Sequence, residues 1–151
     1  MKKAALLILG VLLAGNALAQ FDYPGRKLNR LTLEIIEKAK QAAEKAPDEA
    51  AKIEAFIAYL ETRREEYKET SLETCIAERG VEKAGACSCG VEKSDYPRLF
   101  RFWALHNLTE QDTSAELDAL TAANDAVAQE CGLTDEQAHY EIGRASCRER
   151  V

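Results

Sequence analysis

The chain has 151 residues, 30% charged and 46% hydrophobic, with a formal net charge of −6 at pH 7. That length and balance suit one folded domain, not a disordered or low-complexity polymer. An acidic surface repels phosphate backbones and anionic lipid, so nucleic acid and membrane surfaces are poor candidate partners.

Lys2 and Lys3 precede an apolar run from Ala4 to Gly15, and Ala17-Leu18-Ala19 stands just before Gln20. This is the three-part layout of a secretory signal. The run is shorter than the roughly 20 residues that span a hydrocarbon core. Residues 1–19 therefore read as a cleaved signal peptide of bacterial type, leaving no stable membrane anchor and giving a periplasmic or secreted protein. At the other end Glu141 to Val151 reads EIGRASCRERV, a basic stretch without apolar period. It resembles the translation of a common short-read sequencing adapter, so residues 141–151 are expected not to be native and the sequence beyond Tyr140 is left open. Between these ends, residues 20–140 form one expected helical domain of 121 residues, with 15 Lys and Arg against 24 Asp and Glu, a net charge of −9.

Leu28, Leu31, Ile35, Ala39, Ala42 and Ala46 recur at intervals of three and four, which predicts an amphipathic helix over about 27–46. Pro47 suits the first position of a second helix, with Asp48 and Glu49 near the positive end of its dipole. Ala50, Ile53, Phe56, Ile57, Leu60 and Tyr67 make its apolar stripe, and the charged stretch Glu61 to Glu69 reads as its solvated face. Thr70-Ser71-Leu72-Glu73 matches a capping box, predicting a short third helix that carries Cys75 and ends at Gly80. Residues 81–96 are equally compatible with a loop or an irregular helix. Pro97 opens an aromatic helix to about Asn107, and Thr113-Ser114-Ala115-Glu116 is a second capping box before a helix that runs to Cys131 and stops at Gly132. Leu117, Leu120, Val127 and Cys131 share one face of it. The expected fold is all-α, a small bundle of about five helices stapled by two disulfides.

Without Cys147 of the tail, four cysteines remain: Cys75, Cys87, Cys89 and Cys131. An even count in an oxidising compartment reads as two disulfides. A bond across the single residue between Cys87 and Cys89 would be strained, so one of them should reach Cys75 and the other Cys131. The preferred pairing is Cys75 with Cys87 and Cys89 with Cys131, one short local loop and one longer loop over the aromatic helix.

Cys87-Ser88-Cys89 is also the most compact set of reactive side chains. It could serve thiol–disulfide exchange, or bind copper(I) or zinc together with a histidine. Both histidines, His106 and His139, lie far from a ligand spacing to the pair, and two further cysteines stand ready as bonding partners. The structural use is preferred. Tyr96, Phe100, Phe102 and Trp103 cover more than one helical face, so they are candidates for an interaction surface as well as for the core. Arg98 and Arg101 flank them and are expected to meet the protein's own carboxylates. No catalytic constellation, nucleotide-binding loop or metalloprotease motif occurs.

Leu133-Thr134-Asp135-Glu136-Gln137 looks like the L-T-x-x-Q element of small helical periplasmic stress chaperones. Those chaperones are basic and rich in Gln and Arg after that element, whereas this chain is acidic, so it is not assigned to them. The functional expectation is an exported helical binding or structural protein without catalytic role or cofactor, its partner an unidentified protein or small molecule. The alternative is a thiol-active or metal-handling protein using Cys87 and Cys89.

Overall fold

The computed structural model describes residues 23–134. The leader, His139, Cys147, most of the L-T-x-x-Q element and the 141–151 tail lie outside the described residues. Six α-helices follow one another: α1 (Arg26–Ala43), α2 (Glu49–Thr62), α3 (Arg64–Arg79), α4 (Ala84–Lys93), α5 (Tyr96–Leu108) and α6 (Ser114–Glu130), with a single 3-10 turn at Val81–Lys83 before α4. No strand occurs among the described residues.

The core is built by α1, α2 and α5. Leu31, Ile35, Ala39 and Ala43 line the inner face of α1, as the three-and-four spacing requires, and meet Phe56 and Leu60 of α2 and Tyr96, Phe100 and Ala104 of α5. Ile35, Phe56, Leu60 and Phe100 are fully buried, and each such side chain stabilises the fold by about 1.5–3 kcal/mol relative to exposure.

Several helix limits differ from the sequence reading. Pro47 stands outside α2, because the Asp48 carboxylate accepts a hydrogen bond from the Ala51 amide at 2.8 Å and makes Asp48 the N-cap. The chain breaks at Arg63, with φ −109° and ψ 6°, and not at the Thr70 capping box. Thr70 is buried in mid-helix and its carbonyl accepts from the Thr74 hydroxyl at 2.8 Å, so the apparent box is continuous helical interior. Glu73 reaches Lys27 of α1 at 2.5 Å instead of a helix start. One long α3 thus replaces the expected short helix, and residues 84–93 resolve the undecided stretch as helix, which raises the count to six.

Helix ends elsewhere follow local chemistry. Gly80 terminates α3 with φ +95°, a conformation that side chains with a Cβ rarely adopt. Asp95 caps α5 through Arg98 N at 3.0 Å, with Pro97 in the first turn. Thr113 flanks α6 but makes no side-chain cap; Asp112 accepts from the Ser114 amide at 3.0 Å in its place. Gly132, with φ +71°, closes α6 in a Schellman motif: its amide bonds Gln129 O at 3.2 Å and the Leu133 amide bonds Ala128 O at 2.8 Å. Leu133 is thereby turned back onto α4, where a Cβ built on Gly90 would lie 2.7 Å from the Leu133 methyl group.

Two disulfides complete the frame. Cys75–Cys87 joins α3 to α4 with Cα atoms 5.8 Å apart, and Cys89–Cys131 joins α4 to the end of α6 at 5.6 Å. This is the preferred pairing of the sequence reading. The two sulfurs of the C-x-C motif diverge because residues two apart on a helix point to different sides.

Candidate functional site

The fold leaves a cleft of about 250 Å³ where α3, α5 and α6 meet beside the end of α4. Tyr67 and Ser71, one helical turn apart on α3, line one side, and Leu120 and Asn124, one turn apart on α6, line another. Tyr96 and Leu99 of α5 lie between them, and Val91, Ser94 and Asp95 close the α4 end.

Aromatic packing continues inward from this cleft. The Tyr67 ring stands edge-on to Tyr96 at 6.3 Å and to Trp103 at 5.5 Å between centroids, and Phe100 lies 6.1 Å from Tyr96 and 5.9 Å from Trp103. Such edge-to-face contacts are favourable beyond area alone. The rings lining the cleft thus pack directly against the core.

Polar groups of the cleft are partly committed. The Tyr96 hydroxyl donates to Val91 O and the Ser94 hydroxyl to Gly90 O, both at 2.8 Å. Burial, the largest cause, pushes the Tyr96 phenol up to about 12, and the negative charges of Glu92 and Glu65 act in the same direction. Burial also raises the Tyr67 phenol, against hydrogen bonds with Ser71 and Thr32. Asp95 Oδ1 accepts from the Arg98 amide, and Oδ2 lies 3.3 Å from Arg98 Nε. Asn124 is exposed at the margin.

The sequence candidates fall into separate places. Of the four aromatic residues proposed as a surface, Tyr96 and Phe100 are buried, Phe100 completely, while Phe102 and Trp103 are half-buried. Phe100 therefore belongs to the interior, and Tyr96 touches a surface feature only where it lines the cleft. His106 stacks on Phe102 at 5.6 Å and its Nδ1 lies 3.3 Å from the Thr113 hydroxyl. Cys75, Cys87, Cys89 and Cys131 are all disulfide-bonded, and Cys87 is completely buried. Arg98 does meet the protein's own groups, Asp95 and Ala119 O.

Sequence reasoning missed Tyr67, Ser71, Leu120 and Asn124 as companions. Tyr67 and Leu120 had been placed on apolar stripes, but no spacing in the chain connects α3 with α6.

Two other hollows are more charged. One of about 280 Å³ is lined by Glu65, Lys68, Glu69, Leu72, Val91 and Glu92, where Lys68 pairs with Glu92 at 2.9 Å. The other, about 480 Å³, lies among Lys38, Gln41, Ala42, Glu44, Lys45 and Tyr59. Long charged side chains dominate both, whereas ligand sites are mostly apolar with a few placed polar groups. The α3–α5–α6 cleft is lined instead by two tyrosines, two leucines and a valine, with serine, asparagine and aspartate among them.

Comparison with protein-family models, with curated proteins and with solved structures finds no match to this chain. The two disulfides are the pattern of a protein that folds in an oxidising compartment. Among the described residues no helix is long and apolar enough to cross a membrane.

Proposed function

We propose that this is an exported helical binding module, periplasmic or secreted, which holds a small molecule in the α3–α5–α6 cleft. The carrying observation is the cleft's composition: two tyrosine rings and two leucines form an apolar body, and serine, asparagine and aspartate side chains surround it. A ligand with an apolar part and one hydrogen-bonding head suits that arrangement. Walls packed against the core favour the same reading, since preorganised sites lose little entropy on binding. Export rests on the leader at residues 1–19 and on the two disulfides. The exported product should begin at Gln20, which its intact mass tests; a product retaining Met1 would contradict it.

The binding test uses N-phenylnaphthylamine, a neutral apolar amine that fluoresces when it leaves water. The exported protein should enhance its fluorescence saturably with one site per chain. Asn124→Trp, at an exposed position on the cleft margin, should fill the cleft and abolish the signal while the far-ultraviolet circular dichroism stays that of a helical bundle. No enhancement, or equal enhancement by Asn124→Trp, would refute the cleft as the binding site.

A further inference from the structure

We infer that the cleft selects a small organic ammonium ion, an apolar body of about one aromatic ring carrying a cationic nitrogen, over neutral and anionic molecules of the same shape. This rests on the binding reading above and names its ligand class.

Charge complementarity carries the inference. The single ionisable head among the lining groups, apart from the two phenols, is the Asp95 carboxylate, and no lysine, arginine or histidine lines the cleft. Asp95 spends Oδ1 on the Arg98 amide and Oδ2 on Arg98 Nε. A carboxylate has about four lone-pair positions, so acceptor capacity remains for a bound N–H donor. Arg98 itself is directed elsewhere as well, its Nη1 donating to Ala119 O at 3.3 Å. Beyond the lining, Glu92 and Glu65 act on the Tyr96 hydroxyl as negative charges, although Lys68 offsets them through pairs with both. The domain as a whole is acidic. Among the lining residues the formal charge is thus that of one carboxylate, shared with Arg98, and no basic side chain.

The aromatic walls point the same way. A cation over or beside a tyrosine face is attracted by the ring quadrupole, an effect that strengthens where water is excluded. Tyr67 and Tyr96 both line the cleft with their rings at right angles, 6.3 Å apart between centroids, and Tyr67, the less buried of the two, is the ring that a cation would meet. An anion would meet the Asp95 carboxylate with no basic side chain in the lining to pair with. A neutral alcohol would gain the apolar contact and one hydrogen bond.

The test is displacement of N-phenylnaphthylamine from the exported protein by three matched competitors: phenethylammonium, phenethyl alcohol and hydrocinnamate. The ammonium ion should compete best, about fivefold better than the alcohol, with the carboxylate weakest. Its advantage should shrink as salt is raised, while competition by the alcohol does not. Asp95→Asn removes the charge but keeps a good N-cap for α5, because asparagine caps as well as aspartate. It should weaken phenethylammonium to the level of the alcohol. Competition by hydrocinnamate equal to that of the ammonium ion, or an ammonium preference unchanged in Asp95→Asn, would overturn the inference and leave the cleft reading standing. Failure of N-phenylnaphthylamine to bind at all would remove both.

Discussion

Cys89–Cys131 should matter more for α6 than any other single feature. Within α6 only Leu120 is buried, and Leu117 is 47% exposed. Burial of one leucine stabilises by about 1.5–3 kcal/mol, and most helical stability in a protein comes from packing of an apolar face, of which this helix buries little. What remains to hold its end is the disulfide, the Lys93–Glu130 ion pair, the Arg79 donation to Leu133 O at 3.2 Å, and Leu133 seated over Gly90. The exposed ion pair contributes at most about 1 kcal/mol. The bond spans 42 residues of sequence, for which the chain-entropy model gives about 4 kcal/mol, compared with about 3 kcal/mol for the 12-residue span of Cys75–Cys87. Replacing both Cys89 and Cys131 by serine should therefore lower Tm by roughly 15 °C, at about 4 °C per kcal/mol for a domain between the small and large size classes. The decisive readout is amide hydrogen exchange. Residues 114–130 should lose protection well before α1, α2 and α5, and N-phenylnaphthylamine binding should fall with them. The corresponding pair Cys75→Ser and Cys87→Ser should destabilise the α3–α4 hairpin and leave α6 protected. Parent-like protection of α6 without its disulfide would refute the reasoning.

Three further outcomes follow from the same geometry. Phe100→Ala empties a fully buried position between α1, α2 and α5 and should cost about 3–5 kcal/mol in denaturant unfolding; a loss near 1 kcal/mol or less would place Phe100 outside the core. Asp48→Ala removes the acceptor for Ala51 N and should cost about 1 kcal/mol, whereas Asp48→Asn should cost only a few tenths; equal effects would deny the cap. In alkali, Tyr96, raised to about 12, and Tyr67, also raised, should ionise late. The folded state keeps their protons where the unfolded chain has lost them, so their stabilisation is complete below about pH 10 and declines as pH rises toward 12. Tyrosinate absorbance with far-ultraviolet dichroism checks this, and ionisation of every tyrosine near the free-phenol value in folded protein would contradict it.

Much of the frame was legible because strong local signals and tertiary packing agree. The α1 stripe, Gly80, Gly132 and the α5 start all combine apolar period with residue types whose backbone preferences are pronounced, and cysteine spacing reduced the pairings to two. The Arg63 break was hidden: Thr62 and Arg63 are neither Gly nor Pro, and the apolar stripe continues to Tyr67 across the bend. The Thr70 box misled because the same letters fit a helix interior once Thr74 bonds Thr70 O and Glu73 finds Lys27. The cleft had no local signature. Its walls come from α3 and α6, and they meet only because α5 carries Tyr96 and Leu99 between them.

Amide chemical-shift mapping during a titration with N-phenylnaphthylamine tests the central claim most directly. The account predicts that the largest shifts gather at Tyr67, Ser71, Tyr96, Leu99, Leu120 and Asn124, with little change near Lys38, Gln41 and Tyr59 at the other hollow. Shifts centred on that second hollow, or spread without focus over the helices, would contradict it.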